Sequence, residues 1–521
     1  MPHSPLPFSQ TALLLADQDH VAVATRELSP GAVLDLADTP LAERGTLEVT
    51  QAVPMGHKLA VRDAAQGEQV RKYGQSIGLA LNPIAAGQHV HSHNLGMDTA
   101  EREHEFGTDR IRPEAPADLP RTFLGYHRPD GRVATRNFIG VITSVNCSVS
   151  TAKMIADQFR GIGALEGYEN IDGVMAITHQ SGCGLVTDSE GGQMLLRTLR
   201  GYANHPNFGG LLVLGLGCEM IPVESLAGNL GLPTGTYVET MTIQDMGGIR
   251  ATVRAGVERI RQMLPEVNKV QREPADVSHL TLGLNCGGSD GYSGITANPA
   301  LGLASDMLVA AGGTSVLAET PEVYGAEHLL TRRAVSPEVG TKLLGRIEWW
   351  KNYTAAGAGT LDNNPSPGNK AGGLTTILEK SLGAVAKGGS AEMTAVYEYA
   401  EPITDTGFTF MDTPGYDPVS VTGLVAGGAT VVCFTTGRGS VLGCKPTPSI
   451  KLATNTAMYE RMHEDMDINC GGIVDGTTTL EQKGREIYEQ IIAVASGQRT
   501  VSEELDLGQD EFIPWHVGAV T

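Results

Sequence analysis

From Phe123 onward the chain repeats one unit: an apolar strand that runs into a small-residue loop and then into a helix-forming stretch. This repetition limits the possible folds more than any other feature. Phe138 to Thr143 leads into Ser144-Val145-Asn146-Cys147, with a helix expected from Ser148 to Gln158. Gly173 to Ile177 leads into Thr178-His179-Gln180-Ser181-Gly182-Cys183-Gly184, Gly210 to Leu216 into Gly217-Cys218-Glu219, and Ser315 to Ala318 into Glu319-Thr320. Such alternation predicts a doubly wound, mostly parallel α/β sheet with helices on both faces. Folds of this kind collect ligands outside the carboxyl ends of their strands.

The fullest loop follows a strand marked by Leu280, Leu282 and Leu284, and precedes a helix expected from Pro299 to Ala311. It reads Asn285-Cys286-Gly287-Gly288-Ser289-Asp290-Gly291-Tyr292-Ser293-Gly294-Ile295-Thr296-Ala297-Asn298. Glycine removes the Cβ that keeps a ligand from backbone N–H groups, so this density of glycines, hydroxyls and amides suits a small anionic ligand. Cys147, Cys183, Cys218 and Cys286 each fall just past a predicted strand. Four thiols at equivalent strand ends suggest a metal centre, and thiolate with imidazole suits iron. A closed four-cysteine zinc site is disfavoured because no Cys-x-x-Cys pair occurs.

At 521 residues the chain needs several cores. Against 38 Lys plus Arg stand 59 Asp plus Glu, a net charge of -21, which argues against a nucleic-acid partner. An acidic protein that binds a small acid must gather its cations locally, so clustered Arg and Lys carry information. The start of the chain has no secretion signal and no long apolar run, so no membrane association and a cytoplasmic location are expected. Seven cysteines, an odd number, argue against a disulfide framework.

Residues 1–97 read as a β-rich domain, with strands at Val21 to Ala24 and Gly56 to Val61. Pro54-Met55-Gly56-His57-Lys58 and Arg71-Lys72-Tyr73-Gly74 gather cations and an imidazole there. In His89-Val90-His91-Ser92-His93, residues two apart on a strand share a face, and such a row can bind a divalent metal or move protons near neutral pH. Residues 98–120, with Glu101, Arg102, Glu103 and Glu105 followed by Pro113, Pro116 and Pro120, read as a linker. An α/β domain is expected over 121–388 and a second over 389–521. Leu361 to Leu374 is read as irregular, although its Asn369 and Lys370 offer donors. The last region carries expected strands at Val419 to Leu424 and Ala429 to Phe434, then an anion-binding turn, Thr435-Thr436-Gly437-Arg438-Gly439-Ser440. Glu481 to Ser496 is an amphipathic helix.

Taken together, Gly125-Tyr126-His127-Arg128-Pro129-Asp130-Gly131-Arg132-Val133-Ala134-Thr135-Arg136-Asn137, Gly215-Leu216-Gly217-Cys218-Glu219, Cys286-Gly287-Gly288-Ser289-Asp290, Asn364-Pro365-Ser366-Pro367-Gly368-Asn369-Lys370 and Thr436-Gly437-Arg438-Gly439 resemble the altronate and galactarate dehydratases. The resemblance runs from about Asp19 through nearly the whole chain, and the N-terminal piece looks like the SAF domain of those sugar-acid dehydratases. The His89 to Asn94 row resembles the altronate branch, although some sulfolactate sulfo-lyases share it on a small subunit. Ala134 stands where glycine is usual. Cys470 stands where alanine is expected, which makes it a poor ligand candidate; Cys433 and Cys444 are read as structural.

The resemblance implies loss of water from a small-molecule sugar acid, D-altronate to 2-keto-3-deoxy-D-gluconate, by a homo-oligomer, expected to be a dimer. Galactarate dehydration, sulfite elimination and non-catalytic binding of a sugar acid are the alternatives. Removing the C2 proton and expelling the C3 hydroxide call for a cationic, metal-assisted site. Iron, as Fe2+ or in a sulfur cluster, or another divalent metal, is expected on some of Cys147, Cys183, Cys218 and Cys286. General base and acid are sought among His57, Lys72, His91, His93 and His179. Arg136, Asn137, Ser289, Asp290, Asn369, Lys370, Thr436 and Arg438 are the candidates for holding the carboxylate and hydroxyls.

Overall fold

Two parallel sheets, each built outward from its first strand, carry the main body. The computed structural model describes residues 5–100, 102–161, 163–233 and 236–516; Glu101 of the charged segment and Met1 to Ser4 lie outside the described residues. The first sheet contains β1 (Phe138–Thr143), β2 (Gly173–Ile177), β3 (Phe208–Gly215) and β4 (Tyr237–Thr242) in the order β2-β1-β3-β4. All its pairings are parallel. Every residue of β1 is buried, which is why the sequence shows an unbroken apolar run rather than alternation. Helices α1 (Val149–Ala156), α2 (Glu190–Ala203) and α3 (Ile249–Val267) belong to this part.

The second sheet contains β5 (Thr281–Cys286), β6 (Thr314–Leu317), β7 (Met393–Tyr397), β8 (Gly407–Met411), β9 (Val431–Thr436), β10 (Ser449–Ala453) and β11 (Ile468–Asn469). Their order is β7-β8-β6-β5-β9-β10-β11. The division expected at residue 388 therefore falls inside one sheet, because β5 pairs with β6 on one side and with β9 on the other. In both sheets the chain goes one way from the first strand and later returns to its other side. The resulting switch points lie between β1 and β3 and between β5 and β9, and ligand crevices form at such points.

The helix after β5 is α4 (Ala297–Ala310), and α5 (Ile377–Val385) follows β6 in the chain. Val419 to Leu424, expected as a strand, lies within α6 (Asp417–Gly427). Pro418 in the first turn and Gly428 in a left-handed conformation mark its ends, and because every residue from Val419 to Gly427 is buried the helix has no polar face to betray its period. The expected amphipathic helix is α7 (Leu480–Ala495). The stretch expected to be irregular holds a one-turn helix, Pro367–Ala371, closed by a capping box between Ser366 and Asn369.

The N-terminal region forms short antiparallel strands: Ala12–Leu13, Val21–Ala24, Lys58–Ala60 and His89–Val90 make one sheet. Beyond Asp98 the charged segment lies on the main body, with Ile111 bridging to Ala391 and Arg110 and Arg112 on Glu392.

Candidate active site

The N-terminal region docks on the β5 loop through glycines. A Cβ on Gly291 would lie 2.0 Å from the carbonyl oxygen of Gly56, and one on Gly373 2.3 Å from the same atom. The Tyr292 hydroxyl donates to the Ala24 carbonyl at 2.7 Å. Beside this backbone contact Glu379, on α5, accepts from Lys58 Nζ at 2.8 Å and Lys72 Nζ at 3.0 Å, with all three side chains at 1% exposure or less. Burial opposes the Glu379 charge, but the two ammonium groups outweigh it and hold the carboxyl at about 2. Lys72 is thus a buried structural cation tying the two regions together, and cannot serve as the expected acid.

Four imidazoles line the same junction. His57, His89 and His91 have ring centroids 5.1 to 5.4 Å apart, and His93 lies 5.5 Å from His89. They do not form the strand row read from the sequence: the strand stops at Val90 and a turn follows, with the Asn94 N–H on the His91 carbonyl. His57 Nε2 meets the Ala371 carbonyl at 3.2 Å and His91 Nε2 the Lys370 carbonyl at 2.9 Å. A carbonyl only accepts, so both nitrogens carry hydrogen. His57 Nδ1 then accepts from His89 Nε2 at 3.0 Å, which leaves the lone pair of His89 on Nδ1. Burial pushes His57 down to about 4 and His89 to about 3, and lowers His91, so these rings are neutral near pH 7.

The loops around the imidazoles separate the expected binding residues into those that organise and those that face outward. Asp290 Oδ1 accepts from the Tyr292 N–H, Ser293 and Thr454, and Oδ2 from Asn455, so its carboxylate holds the loop together. Asn369 spends its amide on the Ser366 N–H and the Ser289 carbonyl. Thr436 accepts from the Gly439 N–H and shapes the turn whose Gly437 and Arg438 N–H groups reach the Gly288 carbonyl. Ser289 is buried, Lys370 half-buried and Arg438 exposed. The Arg438 Cδ is 3.3 Å from where a Gly372 Cβ would stand. Among the described residues neither Lys370 nor Arg438 has a carboxylate partner.

Arg136 and Asn137 lie elsewhere, before β1 at the amino end of its sheet. Arg136 grips Glu503 and the carbonyls of Val494 and Gln498, and Asn137 the carbonyls of Asn170 and Val267. Both are structural. His179 is also committed, Nε2 to the Thr143 carbonyl and Nδ1 to the Ser181 N–H, and burial depresses it to about 4.

The four strand-end thiols divide three and one. Cys147, Cys183 and Cys218 are exposed, and Cys183 is held above the ordinary thiol range by desolvation and then by Cys147 and Cys218. Cys286 is buried on the other sheet, its Sγ 3.1 Å from Glu322 and 3.4 Å from Glu319, so the expectation of four thiols around one centre fails. Cys286, Glu319 and Glu322 present ligand atoms within 4.8 Å of one another and could hold a metal ion by distance. Lys387 already sits 2.8 Å from Glu319, and Lys380 2.7 Å from Glu322, all at 7% exposure or less. Two buried ammonium groups balance the two carboxylates, which leaves this set little need of a divalent cation. Glu319, in a left-handed conformation at a strand end, and Glu379, beside Lys380 on one helix turn, escaped sequence reading; only the placement of Glu319 after an apolar strand hinted at a role.

Three family models match successive stretches of the chain. Residues 10–98 match the altronate/galactarate dehydratase SAF domain, 125–268 the D-galactarate dehydratase/altronate hydrolase second domain, and 277–520 the D-galactarate/altronate dehydratase C-terminal family. Altronate dehydratase of Bacillus subtilis is 35% identical over 495 residues, covering 94% of this chain and 96% of that one. Altronate dehydratase of Escherichia coli is 36% identical over 494 residues, with the same coverage. The galactarate dehydratase (L-threo-forming) of Escherichia coli is 37% identical over 472 residues, covering 88% and 90%.

Proposed function

The chain belongs to the D-galactarate/altronate dehydratase family, and on that premise we propose that it is a hydro-lyase converting D-altronate to 2-keto-3-deoxy-D-gluconate and water. One observation carries the site assignment: neutral imidazoles from the N-terminal region meet the carbonyls of Lys370 and Ala371, and among the described residues neither Lys370 nor Arg438 has a carboxylate partner. Arg438 provides a forked donor for a substrate carboxylate, with Lys370 as a second cation. Neutralising that carboxylate makes the neighbouring C2 proton more acidic. His89 Nδ1 holds the lone pair that would take it, and the resulting imidazolium keeps its Nε2–H on His57 Nδ1. The electron pair left on C2 forms the double bond to C3 as the C3 hydroxide leaves; that hydroxide takes up the proton held on His89 Nδ1 to become water, and the enol then tautomerises to the 2-keto acid.

Iron is the cofactor of this reading. When bound it supplies a Lewis acid for an oxygen ligand, and the thiols of Cys147, Cys183 and Cys218 are the donors whose softness and exposure fit it. Among the described residues no helix is long and apolar enough to cross a membrane.

Coverage of 94% against both altronate dehydratases, with the His89 to His93 row, favours altronate over galactarate. The test is 2-keto-3-deoxy acid formation by anaerobically purified protein across a panel of sugar acids and sulfolactate. D-Altronate should give the highest kcat/KM. Galactarate as the preferred substrate, or sulfite release from sulfolactate, would displace this assignment.

A further inference from the structure

We propose that Cys147, Cys183 and Cys218 bind a polynuclear iron–sulfur cluster through three thiolates, with one iron left without a protein ligand. The inference rests on iron belonging to this chain and not on the identity of the substrate. Free cysteine is among the most buried residue types, so one exposed thiol is uncommon. Here all three exposed cysteines follow adjacent strands of one sheet, whereas the other four cysteines are buried. The strands β2, β1 and β3 end in register, with Ile142 opposite both Ile177 and Val213. Neighbouring strands lie about 4.8 Å apart, so the three loops begin within about 10 Å of one another.

The loops are then fastened together beside each thiol. The Asn146 N–H donates to the Ser181 carbonyl at 2.9 Å, the Met220 N–H to the Gly182 carbonyl at 3.2 Å, and the Ser144 hydroxyl to Glu219 at 2.7 Å. Gly182, at a φ of +121°, sits where a Cβ would fall 2.7 Å from the Val145 Cα, so only glycine lets the Cys183 loop approach the Cys147 loop so closely. This is a set of thiols held in place before any ligand arrives.

The same geometry selects among soft metals. A single tetrahedral ion with thiolates at about 2.3 Å draws its sulfurs to within about 4 Å of one another. Among the described residues, the group of three ligand atoms all within 4.8 Å of one another is Cys286 with Glu319 and Glu322, so the three exposed sulfurs are not all gathered that closely. Two side chains beside the thiols that could close a zinc site are already engaged. Both ring nitrogens of His179 are bonded to backbone, and Glu219 gives its two oxygens to Ser144 and the Gly217 N–H. Three thiolates not gathered around a single point match a cluster whose sulfides bridge the irons.

The full-length chain, reduced and reconstituted anaerobically with ferric salt and sulfide, should contain iron and acid-labile sulfide in equal amounts, about four of each, and show broad visible absorption. Each of Cys147→Ser, Cys183→Ser and Cys218→Ser should lower iron and sulfide at least tenfold, whereas Cys286→Ser should retain both. As a check independent of folding, alkylation of the unsubstituted protein should label Cys147, Cys183 and Cys218 before reconstitution and spare them after it. Zinc or sulfide-free iron at the site, a disulfide among the three, or cluster loss confined to Cys286→Ser would overturn the proposal. Keto-acid formation by protein without sulfide would also overturn it while leaving the hydro-lyase reading intact.

Discussion

Replacing Glu379 with Gln keeps the side chain's shape and removes the one anion that two buried ammonium groups share. Lys58 and Lys72 lie 2.8 and 3.0 Å from it, and none of the three groups meets solvent. Breaking a buried ion pair by deleting one partner destabilises by roughly 3–5 kcal/mol, because the remaining charge is left uncompensated; here two are left. At about 2–4 °C per kcal/mol for a unit of 150–250 residues, the melting temperature should fall by on the order of 10 °C. The pH dependence gives the sharper test. Even with Glu379 present, burial pushes Lys58 down to about 8. Without the carboxylate it drops further, so the folded variant sheds a proton that the unfolded chain still holds below its ordinary lysine range. Stability of the variant must therefore rise as pH goes from 7 to 10, and its deficit against the parent must shrink. Calorimetry of both proteins at pH 7 and pH 10 measures this. A variant that melts within about 1 °C of the parent at pH 7, or a deficit that widens toward pH 10, would refute the argument that Glu379 neutralises two ammonium groups.

Three further outcomes are expected. Gly291→Ala places a methyl group 2.0 Å from the Gly56 carbonyl oxygen, so the N-terminal region should loosen and the segment 98–120 should become the first site of limited proteolysis. Arg438→Met should raise KM for the sugar acid at least tenfold with a smaller change in kcat, the loss of about 1.4 kcal/mol or more of binding. His205, 2% exposed, donates to the Ala429 carbonyl and is pushed by burial to about 4, below its ordinary 6.5. Its contribution is present above pH 6.5 and lost as pH falls toward 4, up to about 3 kcal/mol, which urea unfolding at pH 7, 5.5 and 4.5 should register and His205→Gln should flatten.

The strands were legible where burial on both faces leaves an unbroken apolar run: β2 spans Gly173–Ile177 as read from the sequence, and β1 spans Phe138–Thr143. The same rule failed at Val419 to Leu424, where a helix buried all round shows the same unbroken run. The docking of the N-terminal region was not legible at all. Lys58 meets Glu379 across 321 positions, and Glu379 and Lys380 are neighbours in sequence that serve different partners. A helix turns adjacent residues about 100° apart, so Glu379 faces Lys58 while Lys380 reaches Glu322 and Asn364. Sequence offers no sign of which neighbour goes where.

The thiols show why a correct local signature can still mislead. Each of the four follows an apolar strand, and that much is a local property of the chain. Which sheet a strand joins is not local: β5 opens a second sheet, so Cys286 descends into a pocket of Glu319 and Glu322, while the other three cysteines share the rim of the first. Both sheets reverse their strand order, and folds of this class bind ligands at such reversals. The β5 loop meets the N-terminal region through Gly291 and Gly56, and the loops after β2, β1 and β3 carry the exposed thiols. Repetition of strand, loop and helix therefore yields two chemically different rims from one local pattern. On the proposed assignment acid and metal are bound on separate sheets and can be altered one at a time, so Arg438→Met should leave the iron content unchanged while Cys183→Ser should lower it at least tenfold.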